Sequence, residues 1–340
     1  MRSKKLDLKI KKFERKKMRA VTVVESGVQI EDVDTPSPKD SEVLVKVHAC
    51  GLNRADLVVA DGGAHGAAGG PGTIVGMEFS GEIIKCGENV KNLSIGDRVM
   101  CSGASVWAEY AIADYGRVIK IPDNNMDFAT ASSLPIALAT MHNAIVTIGN
   151  FTKGQTILIQ GASSGVGLMG LQIAKYLGAK LVIGTSTKTE KFDKLKSIGA
   201  DLVVNSKDKD WVDQVLQATN NEGVDLIIDQ LSGYTINENM KASKVKGTIV
   251  NVGRLAGGSE EFNCDLHALR RINYRGVTFR TRSTNEIREV YSKMWSDLNN
   301  LVVTGKLSLP IEKIFEFDDV SDALSCMRDN QHFGKLILKV

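Results

Sequence analysis

The chain has little cysteine and pairs none of it. Cys50, Cys86, Cys101, Cys264 and Cys326 are scattered over 340 residues, with no C-x-x-C spacing. An odd, dispersed set excludes a disulfide framework and a four-cysteine zinc lobe, and points to free thiols in a reducing, cytoplasmic setting. No unbroken run of about 18 apolar residues occurs, so no membrane span is expected. No basic start leads into an apolar stretch, so no secretory signal is expected. A basic body is also missing. The formal charge is +3, but residues 1–17 alone hold nine Lys/Arg against two Asp/Glu, leaving 34 basic and 38 acidic residues elsewhere. Positive charge is therefore a property of this extension, and no nucleic-acid footprint is expected in the remainder. Residues 1–17 read as a disordered extension or an upstream start, with a membrane-surface or targeting arm as the alternative.

What is present divides into two patterns. Residues 18–125 hold short β-like runs (42–51, 81–87, 97–100, 107–114, 118–122) between Gly, Asp, Asn and Pro, the signature of a small barrel or sandwich. Within them, residues 60–72, ADGGAHGAAGGPG, lack large side chains and read as a mobile surface loop. From 140 to 281, strand candidates at 155–160, 180–185, 201–206, 224–230, 247–253 and 276–281 alternate with helix-like segments. That alternation calls for a parallel sheet with right-handed crossovers. Runs such as VDLIID suit strands buried on both faces. After 281 a helix, two strand-like runs and a further helix read as returning elements of the first domain. The expected organisation is thus 18–139 with 282–340, enclosing 140–281.

The first crossover opens with GASSGVG, residues 161–167. Small residues at a strand–helix junction let a pyrophosphate approach the backbone, and the helix N-terminus offers N–H groups and partial positive charge. Against G-x-G-x-x-G, the register sets Ala162 and Ser164 at the first two glycine positions and Gly167 at the third. The motif alone fits either a dinucleotide cradle or an ordinary turn; the alternation behind it favours the cradle. Ala162, Ser163, Ser164, Gly165, Val166 and Gly167 are then the pyrophosphate candidates. An NAD site places an acid about 20 residues on, but the second strand ends in Gly184, Thr185 and Ser186 with no carboxylate. Hydroxyls at 185–187 and the cations Lys188 and Lys191 suit a 2′-phosphate and hence NADPH; a solvated helix start is the alternative.

These segments resemble the medium-chain dehydrogenase/reductase family. CGLNRADL (50–57), GMEFSGEI (76–83), GDRVM (96–100), WAEYA (107–111), GASSGVG, IGAD (198–201) and FGKLIL (333–338) are similar, in that order, to its zinc-free quinone oxidoreductase branch. The resemblance implies a GroES-like β-rich catalytic domain with a doubly wound, Rossmann cofactor domain. It sets Asn53 where zinc alcohol dehydrogenases carry a Cys ligand and Met77 where they carry His, keeping only Glu78. By the same resemblance, Asn53 would contact nicotinamide or substrate, Ser186 and Lys191 the 2′-phosphate, and Gly253 and Arg254 the nicotinamide half. The family's Tyr near Ser206 is absent, its loop aromatic is missing from 60–66, and its Thr falls at Ala139 or one place later at Thr140.

Each assignment has a plainer counterpart. Asn53 is also a common turn cap. Met77 reads as a core filler, and Trp107 as half-buried packing or a substitute pocket wall. His48, His65, His142, His267 and His332 lack nucleophile or ligand partners. Arg280 and Arg282 meet a phosphate or a solvated edge. The sixth strand would be exposed unless paired, so a homodimer across it is expected. Without a zinc Lewis acid, hydride must pass to an acceptor that is already electrophilic. A quinone is the expected acceptor, an enone or enoyl group (an activated alkene) the alternative, and a non-catalytic NADPH-binding protein the third reading.

Overall fold

The computed structural model describes residues 17–66, 68–122 and 126–340. Residues 1–16 of the basic extension lie outside the described residues. The chain separates into two compact units: one takes the described residues up to Ile121 with Ile314–Asn330 and Ile337–Val340, the other Pro122–Lys313 with Gln331–Leu336. Segments 122–139 and 282–313, expected with the β-rich domain, fall in the second unit. Both are largely buried there: Ala137, Leu138 and Ala139 in the helix Pro135–His142, and Met294, Leu298 and Leu301 in the helix Thr284–Val303.

The β-rich unit begins with the antiparallel hairpin β1 (Lys17–Val24) and β2 (Gly27–Asp34). Its main sheet uses β3 (Glu42–Gly51), β4 (Glu78–Cys86), β5 (Arg98–Ser102), β6 (Tyr110–Asp114) and β7 (Val118–Lys120), together with the late strands β14 (Ile311–Glu316) and β15 (Lys335–Lys339). The order is β14–β15–β3–β4–β5–β7, with β6 also paired to β3. Along β3, Val43, Val45 and Val47 recur at the two-residue period of a strand and are buried. Val45 lies opposite Ile83. The helix α1 (Arg54–Ala60) follows β3. Trp107 precedes β6 and is fully buried rather than half-buried. Gly76 makes room for it: at φ 102°, a Cβ there would sit 2.1 Å from Trp107 Cδ1.

The second unit is a doubly wound α/β layer. Its strands are β8 (Thr156–Ile159), β9 (Leu181–Thr185), β10 (Leu202–Val204), β11 (Val224–Asp229), β12 (Ser243–Asn251) and β13 (Asn273–Gly276). They pair in parallel in the order β10–β9–β8–β11–β12–β13. Helices α2 (Phe128–Ser132) and α3 (Pro135–His142) precede the sheet, and α4 (Gly165–Tyr176), α5 (Phe192–Ile198), α6 (Trp211–Ala218), α7 (Ile236–Ala242) and α8 (Cys264–Arg270) lie between strands. Helix α9 (Thr284–Val303) follows the sheet, and α10 (Val320–Asp329) returns to the β-rich unit. Leu158, Ile183, Val204 and Ile227, one from each of four adjacent strands, share a buried cluster with Trp211 and Met240.

The sixth strand comes earlier than expected. Asn273–Gly276 pairs with Thr248–Asn251, and the chain then turns where Arg280 donates to the Thr278 hydroxyl and Arg282 to the Thr278 carbonyl. The apolar alternation of 276–281 therefore belongs to the exit from the sheet. Phe128–Ile148 is long and apolar enough to cross a membrane by length and composition alone, but it is mostly buried within its own unit, as a core helix is.

Candidate functional site

The sheet order reverses between β8 and β11, and the turn after β8 sits at that switch point, where open α/β sheets bind ligands. Gly161 turns the chain at φ 67°. Its N–H donates to Thr185 Oγ1 at 3.0 Å, and the Ala162 N–H donates to the Thr185 carbonyl at 2.9 Å. Ser164 caps α4: its hydroxyl accepts from the Gly167 N–H at 3.0 Å. That hydroxyl also lies 3.0 Å from the Gly161 carbonyl and 3.2 Å from Gln230 Oε1. Gln230 Nε2 donates to the Gln160 carbonyl at 2.9 Å. Gln160 in turn meets Thr185 Oγ1 and Asn239 Oδ1. Beneath the turn, therefore, β8, β9 and β11 are tied by buried side-chain amides.

The glycines of this turn have separate tasks. A Cβ on Gly167 would lie 2.6 Å from the Gly161 carbonyl oxygen and 2.7 Å from Ala162 Cα, so the helix can meet the turn only without a side chain there. A Cβ on Gly165 would meet Lys335 Cδ at 2.6 Å. Lys335 comes from the far end of the chain, where Gly334 forms a parallel bridge with Ser164. Its side chain is 3% exposed, and its aliphatic stem lies against Gly165 at the start of α4. Sequence reasoning missed the meeting of Lys335 with Gly165 because 170 positions separate them; its signal was FGKLIL, noted without a role.

At the end of β9 the candidates point inward. Ser186 is almost buried, and its hydroxyl accepts from the Lys188 N–H at 3.2 Å. Lys191 is 7% exposed and donates to the His332 carbonyl at 2.8 Å. Burial, the largest influence on it, lowers its pKa. The ammonium expected at a 2′-phosphate is thus bound to a main-chain carbonyl in this structure.

Beyond β12, a Cβ on Gly253 would lie 2.5 Å from the Gln230 carbonyl oxygen, and Arg254 is exposed. Ser232, between the two segments, donates to the Gly253 carbonyl at 2.8 Å and accepts from Asn251 Nδ2. Asp229 receives the N–H groups of Leu231 and Ser232, each at 2.9 Å; burial pushes its carboxyl pKa up. Arg282 turns away to Asn143 Oδ1 at 3.3 Å.

In the β-rich unit, Asn53 is the N-cap of α1. Its N–H donates to Asp56 Oδ2 at 2.7 Å and its Nδ2 donates to Glu78 Oε1 at 2.9 Å. Both acids are buried. Burial raises the Cys50 thiol pKa well above its ordinary value, and Asp56 and Glu78 add to this. Met77 is half-buried rather than a core residue. Zinc takes thiolate, imidazole and carboxylate donors; here Glu78 accepts from the Asn53 amide, and a methionine, not a histidine, precedes it. Among the described residues no group of three or more His, Cys, Asp or Glu is placed to hold a metal. This donor set does not fit a zinc ion.

Two family models match the chain in sequence: the alcohol dehydrogenase GroES-like domain over residues 39–123 and the zinc-binding dehydrogenase over residues 165–296. The chain belongs to the medium-chain dehydrogenase/reductase family. This is a family of nicotinamide-dinucleotide-binding oxidoreductases, and the turn after β8 fits such a group. The chain is 29% identical over 310 residues to quinone oxidoreductase of Homo sapiens, covering 88% of this chain and 93% of that one. It is 28% identical over 307 residues to highly reducing polyketide synthase 40 of Fusarium pseudograminearum, covering 88% of this chain. The chain spans only 12% of that synthase's length. Among solved structures, a probable oxidoreductase from Mycobacterium abscessus superposes with a TM-score of 0.82 at 26% identity, over 95% of this chain and 99% of that one.

Proposed function

We propose that this chain is an NADPH-dependent oxidoreductase that works without zinc and reduces a quinone-type acceptor. The observation that carries the reading is the cradle at the switch point: Gly167 allows α4 to close on the turn, and no carboxylate ends β9. The reduced nicotinamide, when bound, supplies a hydride. The chain's own contribution is to hold the pyrophosphate on the first N–H groups of α4, with Gly165, Val166 and Lys335 nearest, and to fix the turn rigidly from below. Gly253 and Arg254 are the proposed nicotinamide-half residues and Asn53 the proposed acceptor contact. Without a metal to stabilise an alkoxide, simple alcohols are poor partners, whereas conjugated acceptors spread developing charge onto oxygen.

The similarity to a quinone oxidoreductase along nearly its whole length supports the quinone reading. Reduction of an activated alkene is the second reading, favoured by the similarity to a highly reducing polyketide synthase. Five free cysteines support a cytoplasmic setting, and the edge strand β13 supports pairing of two copies. The test is NADPH oxidation followed with quinones, with enones and with no acceptor, beside elemental analysis of the purified protein. Turnover with quinones and no stoichiometric zinc is expected. Turnover with enones alone would move the assignment to the alkene reading. Stoichiometric zinc with alcohol oxidation would overturn both, and NADPH binding without turnover would leave a non-catalytic protein.

A further inference from the structure

Residues 331–335 lead into β15 and cross the start of α4 as a strap, in the same unit as the phosphate turn. The strap is fixed from two sides. On the α4 side, Gly334 forms its parallel bridge with Ser164, the N-cap of that helix. The Lys335 N–H donates to the Pro310 carbonyl at 2.9 Å. The segment that carries Pro310 is itself held by α4. Gln172 Nε2 donates to the Ser308 carbonyl at 2.8 Å, and Gln172 Oε1 accepts from the Ser308 N–H at 3.2 Å. Gly334 sits at φ 97°, and a Cβ there would lie 2.2 Å from the Pro310 carbonyl oxygen, so the strap runs this close only without a side chain.

On the other side, the contacts come from the segment that follows β9. Lys191 Nζ donates to the His332 carbonyl at 2.8 Å. Lys194 Nζ lies 5.4 Å from the centroid of the Phe333 ring. Phe333 is buried, whereas Lys194 is exposed and rests on the ring from outside. Lys191 is almost buried, where an unbonded ammonium is costly, and the His332 carbonyl satisfies it. To reach a phosphate, Lys191 would have to leave that carbonyl, and the strap would lose its hydrogen bond to this side.

We infer that Lys191 is a positioning residue: it ties the strap to the β9 side of the turn and so holds it against Ser164 and Gly165, instead of serving as the ligand of a 2′-phosphate. With the strap loose, the first turn of α4 loses a brace, and a pyrophosphate is held less well whether or not the ribose carries a phosphate. This rests on the dinucleotide cradle described above and is independent of the choice between NADPH and NADH.

The test uses the full chain, titrated by calorimetry with ADP-ribose and with its 2′-phosphate, beside amide hydrogen exchange of 331–336 read by mass spectrometry without ligand. Lys191→Met is expected to weaken both nucleotides about tenfold, so that their ratio moves by less than about twofold, and to speed exchange in 331–336 about tenfold. Lys191→Arg keeps a donor for the carbonyl and is expected to restore both. Lys194→Ala removes only the exposed cation over Phe333, and is expected to speed the same exchange about two- to fivefold with the nucleotide ratio unchanged. A loss in Lys191→Met confined to the 2′-phosphorylated nucleotide overturns this inference and makes Lys191 the phosphate ligand. Exchange in 331–336 that the variants leave unchanged also overturns it, and Lys194→Ala decides that point where Lys191→Met does not fold. Both outcomes leave the cradle standing. A wild type that binds neither nucleotide overturns the cradle and this inference with it.

Discussion

Gly167 and Gly170 lie one turn apart on the same buried helix, and alanine at the two positions should act in opposite directions. At Gly167 the added methyl would meet main-chain atoms of Gly161 and Ala162 at 2.6–2.7 Å, and no side chain can rotate to relieve the clash. Forcing that shift costs about 3 kcal/mol, at the upper end for overpacking, while replacing a helical glycine by alanine returns about 1 kcal/mol. The expected net loss is about 2 kcal/mol, a fall in Tm of about 4–8 °C for a unit of this size. At Gly170 the nearest atom is Met141 Sδ at 3.0 Å, on a flexible chain that can move. Gly170→Ala should therefore stay within about 0.5 kcal/mol of wild type or gain slightly. Thermal melts followed by circular dichroism, with adenosine 2′,5′-bisphosphate titrations alongside, measure both effects. Gly167→Ala should also bind the nucleotide about tenfold more weakly, since the helix start moves from the turn. A Gly167→Ala protein that melts at or above the Gly170→Ala protein would falsify the tight-turn argument.

Three further outcomes are expected. Lys335→Met should weaken ADP-ribose, which carries a pyrophosphate, about tenfold and leave 5′-AMP nearly unchanged; equal losses would remove Lys335 from the pyrophosphate. His142 is buried with Nε2 2.8 Å from Asp297 Oδ2, and burial lowers its pKa below the ordinary 6.5 despite that partner. Its folded value is the lower one, so its contribution is complete above 6.5 and is lost as pH falls through the folded value. Melting temperature should drop more steeply on acidification in wild type than in His142→Gln; parallel curves would refute this. Ser283 and Glu286 form a reciprocal cap at the start of α9, with bonds of 2.7 and 3.3 Å. Ser283→Ala should cost about 1 kcal/mol in urea unfolding, and no change would show that the cap does not hold the helix.

The parallel sheet was legible because strands buried on both faces read as unbroken apolar runs, and VDLIID is β11. The phosphate turn was legible because only small residues fit it. The sixth strand slipped because hydrophobic alternation continues past Gly276, while the hydrogen bonds that end the ladder come from Thr278 and the arginines after it. The expected sharing of 122–139 and 282–313 with the β-rich unit rested on chain order, whereas side-chain burial set their place. Lys335 beside Gly165 and Tyr234 beside Ser206 join positions far apart in sequence, and no local pattern announces such a meeting. Lys191 was visible as a cation, but the direction of its side chain depends on the His332 carbonyl, which the chain reaches only near its end.

Strand β15 also imposes a timetable on synthesis. On the ribosome β3 is complete within the first 51 residues, yet its β15 neighbour begins at Lys335. Strand β6 takes part of that flank at Glu42–Lys46, but until almost the whole polypeptide has emerged the Ala49–Gly51 end of β3 keeps amide and carbonyl groups unclaimed by β15. The sheet of the opening third is therefore completed only by the closing residues, and a chain stopped before 335 would leave that end of β3 as an open edge.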